Sequence, residues 1–285
     1  MEEPFDRRAV RRHRDRAAAT LGGHDFLLRA AVERLAERVA ESGRRFPSVL
    51  VLGAAGGLLR DAVQPHADAV VEADLSFGML RGPGVVASEE LLPFAPGAFD
   101  LIVSALVLHW VNDLPGALVQ ARRSLRPDGM FLASMLGGET LRELRAALLS
   151  GESESRGGAS PRVSPFVDVR DAGALLQRTG FARPVADVET IDVTYADPLR
   201  LMAELRGMGE TNALRDRPRA FTPRSTLMAA AAAYRAHSGD AGGRIRATFQ
   251  LVTLTGWAAA PRTPPEAPTE ERPPAARLPR RLRPA

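Results

Sequence analysis

The segment Val49-Leu50-Val51-Leu52-Gly53-Ala54-Ala55-Gly56-Gly57 constrains the fold more than any other stretch of the chain. An apolar run with β-branched residues breaks at a glycine, passes through small residues, and resumes as a helical pattern over residues 58–63. Such a strand-turn-helix step lets backbone N–H groups approach a ligand, and the start of a helix favours polar or anionic groups there. The plainer reading is a tight βα turn that only packs. The step does not stand alone. Short apolar runs predict strands over residues 48–52, 69–73, 85–87, 101–106 and 130–135. Between them, helical periodicity covers 24–41, with Leu28, Ala31, Val32, Leu35 and Val39 on one face, and then 58–63 and 113–125, where Asp113 serves as N-cap and Pro115 stands in the first turn. Strands buried on both faces and alternating with helices predict an α/β fold with a parallel sheet.

Beyond residue 135 the alternation is less regular. Helices are predicted over 141–149, 171–179 (closed by Gly180), 198–206 and 223–236, the last two opened by Asp197-Pro198 and Thr222-Pro223 as N-cap and first helical residue. Residues 185–193 and 249–256 are the remaining strand candidates, and Pro127-Asp128-Gly129 reads as a turn. The chain then divides into an N-terminal arm or helix (1–22), a main domain (23–257) with a helical insertion at about 138–237, and a Pro/Arg-rich tail (258–285) expected to be disordered. In the arm, Phe5, Val10 and the Arg7/Arg8/Arg11/Arg12 face of residues 5–16 suggest a helix that closes over a site or holds an acidic partner; the alternative is a solvated helix.

Composition excludes several classes. With no cysteine there are no disulfides, thiolate metal sites or cysteine nucleophiles, which fits a cytoplasmic protein. No apolar run is long enough to span a membrane, and the acidic start is neither a signal nor a transit peptide. The sequence pI of about 10.6 comes from arginines of the arm and tail, while the body is near neutral. No aromatic residues interleave with those arginines, so nucleic acid is not an expected partner. Arginine replaces lysine throughout, as a GC-rich genome would produce. Histidines at 13, 24, 66, 109 and 237 have no facial-triad spacing, so no metal site is expected. The oligomeric state is not legible.

Asp74, about twenty residues beyond the glycine turn, ends the second predicted strand. A carboxylate there can accept both hydroxyls of a ribose; the alternative is an N-cap for residues 77–80. Ser104 and His109 fall near the carboxyl end of the fourth strand, and Leu92-Pro93-Phe94 would shape a rim beside an adenine. His109 reads either as a base near the acceptor or as a packed histidine. Among the later carboxylates, Glu139 and Glu210 stand beside glycines in loops and are candidates to bind an acceptor guanidinium. Glu143 and Glu204 read as solvated helix positions.

Glu72-Ala73-Asp74-Leu75-Ser76, Leu92-Pro93-Phe94, Phe99-Asp100 and Leu125-Arg126-Pro127-Asp128-Gly129 together resemble class I S-adenosylmethionine-dependent methyltransferases. The narrower series Leu108-His109-Trp110-Val111-Asn112-Asp113-Leu114-Pro115, Gly137-Gly138-Glu139-Thr140-Leu141, Ser164-Pro165-Phe166 and Gly207-Met208-Gly209-Glu210-Thr211-Asn212 resembles the respiratory complex I assembly factors of the NDUFAF-five type and their bacterial relatives. The resemblance implies a Rossmann-like, seven-stranded, mostly parallel sheet with helices on both faces and an inserted helical lid. It implies S-adenosyl-L-methionine as cofactor, held by Gly53, Ala54, Gly56, Gly57, Asp74, Leu75, Met79, Ser88, Glu89 and Ser104. It also implies a subunit of NADH:quinone oxidoreductase as partner, with methyl transfer, arginine hydroxylation or non-catalytic assembly as the alternatives. Three positions depart from the methyltransferase pattern: Val51 where an acid is usual, Ala55 for a glycine, and Ser88 for the acid after the third strand, with Glu89 adjacent. These departures predict a weak cofactor site that an acid at position 51 would tighten.

Overall fold

The apolar runs alternate between two faces, and each face meets its own helices. In the computed structural model, which describes residues 3–259, the strands are β1 (Phe46–Leu52), β2 (Ala67–Asp74), β3 (Gly84–Val86), β4 (Phe99–Ala105), β5 (Leu125–Leu136), β6 (Phe181–Tyr195) and β7 (Ile245–Ala258). They form one sheet in the order β3-β2-β1-β4-β5-β7-β6. The pairs joining β3, β2, β1, β4 and β5 are parallel, and β7 runs antiparallel to both β5 and β6. Val49, Val51, Leu101 and Val103 pack against α2 (Phe26–Glu41) and α3 (Leu58–Val63). Their neighbours Leu50, Leu52 and Ile102 pack on the other face against α4 (Leu114–Ser124) and α6 (Val169–Arg178). This period-two division is what strands covered on both faces require.

A third apolar cluster joins the far half of β7 to α5 (Arg142–Arg156), α7 (Pro198–Met208) and α8 (Arg224–Ser238), through Leu144, Leu148, Leu201, Leu205 and Tyr234. The helical lid thus comes in two pieces, because α6 and β6 interrupt the segment 138–237 and belong to the sheet. The Pro127-Asp128-Gly129 turn lies inside β5 as a bulge: the β4–β5 register steps from Phe99↔Leu125 to Leu101↔Met130, and Asp128 takes a φ of 59°. α8 begins at Arg224, one residue later than its proline suggests, because the Thr222 hydroxyl accepts from Arg162 instead of capping. Ala258, expected in the tail, closes β7; the tail from residue 260 lies outside the described residues. Among the described residues no helix is long and apolar enough to cross a membrane.

The arm is a docked helix, α1 (Arg7–Ala17), capped by Asp6, whose side chain accepts from the Ala9 amide. Phe5 pairs with Leu214, its ring meets Trp110 edge-on at 5.4 Å, and its amide donates to Asn112 Oδ1 at 2.8 Å. Residue 5 and α1 therefore lie across the carboxyl ends of the strands.

Candidate functional site

Gly53 ends β1 at a φ of 85°, and a Cβ there would stand 2.6 Å from Val107 Cγ1, so the turn requires glycine. Gly56 and Gly57 also have positive φ, at 64° and 93°. Ala55 has a φ of 55°, a left-handed conformation held without glycine's freedom. Across this turn stands Asp74, fully buried. Its Oδ1 accepts from Ser76 N (2.8 Å) and Arg14 Nε (3.1 Å), and its Oδ2 from Ala54 N (2.8 Å) and Arg14 Nη2 (2.5 Å). A carboxylate offers about four lone-pair positions, and all are used. Burial works against the Arg14 charge, but the paired Asp74 outweighs it and holds the guanidinium protonated more firmly than usual.

The arm meets the next acids in the same way. Arg7 pairs with buried Glu89 and with Glu90 at 3.6 Å, and it donates to the Trp110 carbonyl at 2.9 Å. Burial raises the Glu89 carboxyl despite the opposing Arg7 charge. Ser88 lies 3.5 Å from Arg7 Nη2. Met79 is buried, Leu75 packs against the Phe5–Trp110 cluster, and the Ser104 hydroxyl is buried without a partner. Between these groups remains a cavity of about 30 Å³, lined by Arg14, Leu21, Ala55, Met79, Leu106 and Glu210 among others. Cofactor sites typically occupy some 300 Å³ or more. With α1 in this position, the residues present do not fit S-adenosylmethionine: the ribose acid is saturated and the space is filled.

A second cavity, of about 310 Å³, opens beneath α5, α7 and α8. Leu136, Leu144, Leu148, Phe166, Met202 and Leu205 make it mostly apolar; Arg206, Arg162 (paired with Glu152) and Glu210 are its charged lining residues, and Glu210 lines the smaller cavity too. Glu210 Oε2 accepts from Trp110 Nε1 (3.1 Å) and pairs with His109 Nε2 (3.0 Å). A carboxylate only accepts, so this contact puts a proton on Nε2; His109 Nδ1 is buried without a partner. Glu210 Oε1 has no hydrogen-bond partner among the described residues.

The structure brings together the glycine turn, Asp74, Met79, Ser104, His109 and Glu210. It does not bring Glu139, which is exposed and paired with Arg142 at 2.9 Å, outside both cavities. Glu143 is not a solvated position: it is buried and accepts from Thr248 Oγ1 at 2.6 Å. Glu204 is only partly exposed and pairs with His24 at 2.8 Å. Sequence reasoning placed Arg7 on the arm face expected to close over the site or hold an acidic partner, but missed Arg14. Their seven-residue spacing, with Val10 between, places them on one helical face and was the available signal.

A family model described as "Methyltransferase domain" matches residues 50–133. The solved YcgJ protein of Bacillus subtilis superposes with a TM-score of 0.54 at 15% identity, covering 79% of this chain and 97% of that one. A methyltransferase-domain protein from Bacillus halodurans gives the same TM-score at 13% identity, covering 79% and 99%. Sheet order, glycine turn and the acid ending β2 thus define a protein of the class I methyltransferase fold. Within that class, the mitochondrial arginine hydroxylase NDUFAF5 of Danio rerio is 40% identical over 267 residues, 89% of this chain and 82% of the relative. The malonyl-[acyl-carrier protein] O-methyltransferase of Methylovorus sp. strain MP688 is 32% identical over 272 residues, 89% of each. The chain belongs to the NDUFAF5 family.

Proposed function

We propose that this chain is an enzyme of the bacterial cytoplasm that modifies an arginine of a protein acceptor, a subunit of NADH:quinone oxidoreductase. One observation carries the reading: Glu210, the only carboxylate among the residues lining a mostly apolar cavity, has one oxygen unpartnered among the described residues. The cavity's leucines suit a methylene stem, and the open oxygen suits a guanidinium head. His109 and Trp110 fix the carboxylate through Oε2, so the oxygen left for the acceptor keeps one orientation. The family relatives bear the name arginine hydroxylase, which supports the acceptor type.

The cofactor we propose for the Asp74 cleft is S-adenosyl-L-methionine, received after α1 has moved; when bound, it supplies an activated methyl group. As its holders we propose Gly53, Ala54, Gly56, Gly57, Leu75, Ser88 and Glu89 with Asp74, Met79 and Ser104; Met79 lines the small cavity as it stands. A second reading, a non-catalytic assembly factor, is favoured by the saturation of Asp74. Mass spectrometry of the oxidoreductase subunits, with and without this gene, separates the readings. We expect a gene-dependent mark on one arginine: a methylene for methyl transfer, with the cofactor's thioether product as leaving group, or an oxygen for hydroxylation, which needs in addition an external oxidant such as dioxygen with a two-electron reductant. Normal assembly with no mark overturns the proposal, and failed assembly with no mark establishes the second reading.

A further inference from the structure

The acid expected to hold a ribose is held by this chain's own arginine. Arg14 meets Asp74 through two parallel N–H donors, at 3.1 and 2.5 Å, and the Ala54 and Ser76 amides take the remaining acceptor positions. The two amides belong to the turn and to the loop after β2, so the fold fixes them. Arg14 comes from α1, sixty residues away in sequence, and is the replaceable partner.

We propose that Arg14 sets the affinity of the Asp74 cleft for a nucleoside cofactor by competing with the ribose hydroxyls for the same carboxylate oxygens, so that α1 must release before the cofactor binds. This rests on the reading of that cleft as the cofactor site. Three further contacts make the helix a strap over the whole opening. Arg7 neutralises Glu89, Phe5 is wedged against Trp110, and Leu21, just beyond the helix, stands so close to Gly56 that a Cβ there would lie 2.9 Å from its Cδ2. Each ties the strap to a residue bordering the cleft: Glu89 after the third strand, Trp110 after the fourth, and Gly56 in the glycine turn. Docking the strap and docking the cofactor therefore exclude one another, and the free energy of the Arg14–Asp74 pair is subtracted from binding.

The test is calorimetry of the full chain with S-adenosylmethionine and with S-adenosylhomocysteine, comparing wild type with Arg14→Gln and Arg14→Lys. Glutamine keeps the packing but loses the charge; lysine keeps the charge but loses the fork. Arg14→Gln is expected to bind about tenfold tighter or more, as loss of a charge-assisted competitor allows, with Arg14→Lys between it and wild type. Hydrogen exchange in the wild type is expected to show residues 7–17 losing protection as ligand saturates. Binding that is unchanged or weakened in both variants overturns the competition, as does α1 protection that stays constant or rises. If no variant binds either ligand while all melt as wild type does, the cleft is not a nucleoside site, and the cofactor part of the proposed function falls with the strap.

Discussion

Val51 shows what a single departure from a motif means physically. In the sequence it stands where related proteins carry an acid, which suggests that restoring the acid would strengthen the cofactor site. In the structure Val51 is fully buried on the α2/α3 face, packed with Val49, Leu59 and Leu101. Among these apolar neighbours a carboxylate finds no cation, and burying it uncompensated is strongly unfavourable. Val51→Asp is therefore expected to lower unfolding stability by about 3 kcal/mol or more, read as a shift of the urea midpoint at constant slope. An unchanged midpoint would show that residue 51 reaches solvent or a partner. Asp74 was legible because a carboxylate ending a strand after a glycine turn has few other uses. Arg14 was not, because an ion pair between residues sixty apart leaves no local pattern.

At the scale of elements, periodicity located every strand and most helices, and failed where packing overrides composition. α5 was expected to stop near residue 149, where Ser150, Gly151, Ser153 and Ser155 weaken helix propensity. It runs to Arg156 because Gly151 lets α8 approach so closely that a Cβ would stand 2.5 Å from the Ala230 amide nitrogen. The arm has a comparable hidden determinant in His13, whose Nδ1 is buried without a partner. Burial first, then the Arg16 charge, push its imidazole down to about 4, and Arg217 and Arg12 act in the same direction. The unfolded chain binds the proton near pH 6.5, well before the folded one does. The stability of the docked arm is thus fully present above about pH 6.5 and declines as pH falls toward 4. Asp6, held below the usual carboxylate range by Arg217, stays ionised through the upper part of that window. The melting temperature is expected to fall between pH 7 and 5.5 in the wild type, and less in His13→Leu. Parallel slopes would mean that His13 is already solvated in the folded protein.

The described residues form a sheet with its own helices on each face, a helical layer over the β7 end, and a strap across the carboxyl ends of the strands. The sheet was readable because its strands are local and apolar. That the arm is a helix able to close over the site was readable from Phe5, Val10 and its arginine face; its partners in residues 88–90, 110–112 and 213–217 were not, since only the tertiary fold assembles them. Its apolar contribution is confined to two small clusters, one of Phe5, Ala9, Val10, Trp110, Ala213 and Leu214 and one of Ala17, Leu21, Ala54 and Met79, both separate from the three large clusters on the sheet. Removing the strap should therefore uncover the site without unfolding the domain. The chain carries its own reporter, because of its two tryptophans Trp110 lies under Phe5 while Trp257 stacks beneath Arg183 at 4.6 Å. In a Trp257→Phe background, deleting residues 1–18 is expected to shift Trp110 emission to the red and to raise acrylamide quenching several-fold, with far-ultraviolet dichroism almost unchanged. A red shift with loss of dichroism would make the strap an integral layer of the fold. Emission that does not move would place Trp110 under some other cover than Phe5 and Arg7.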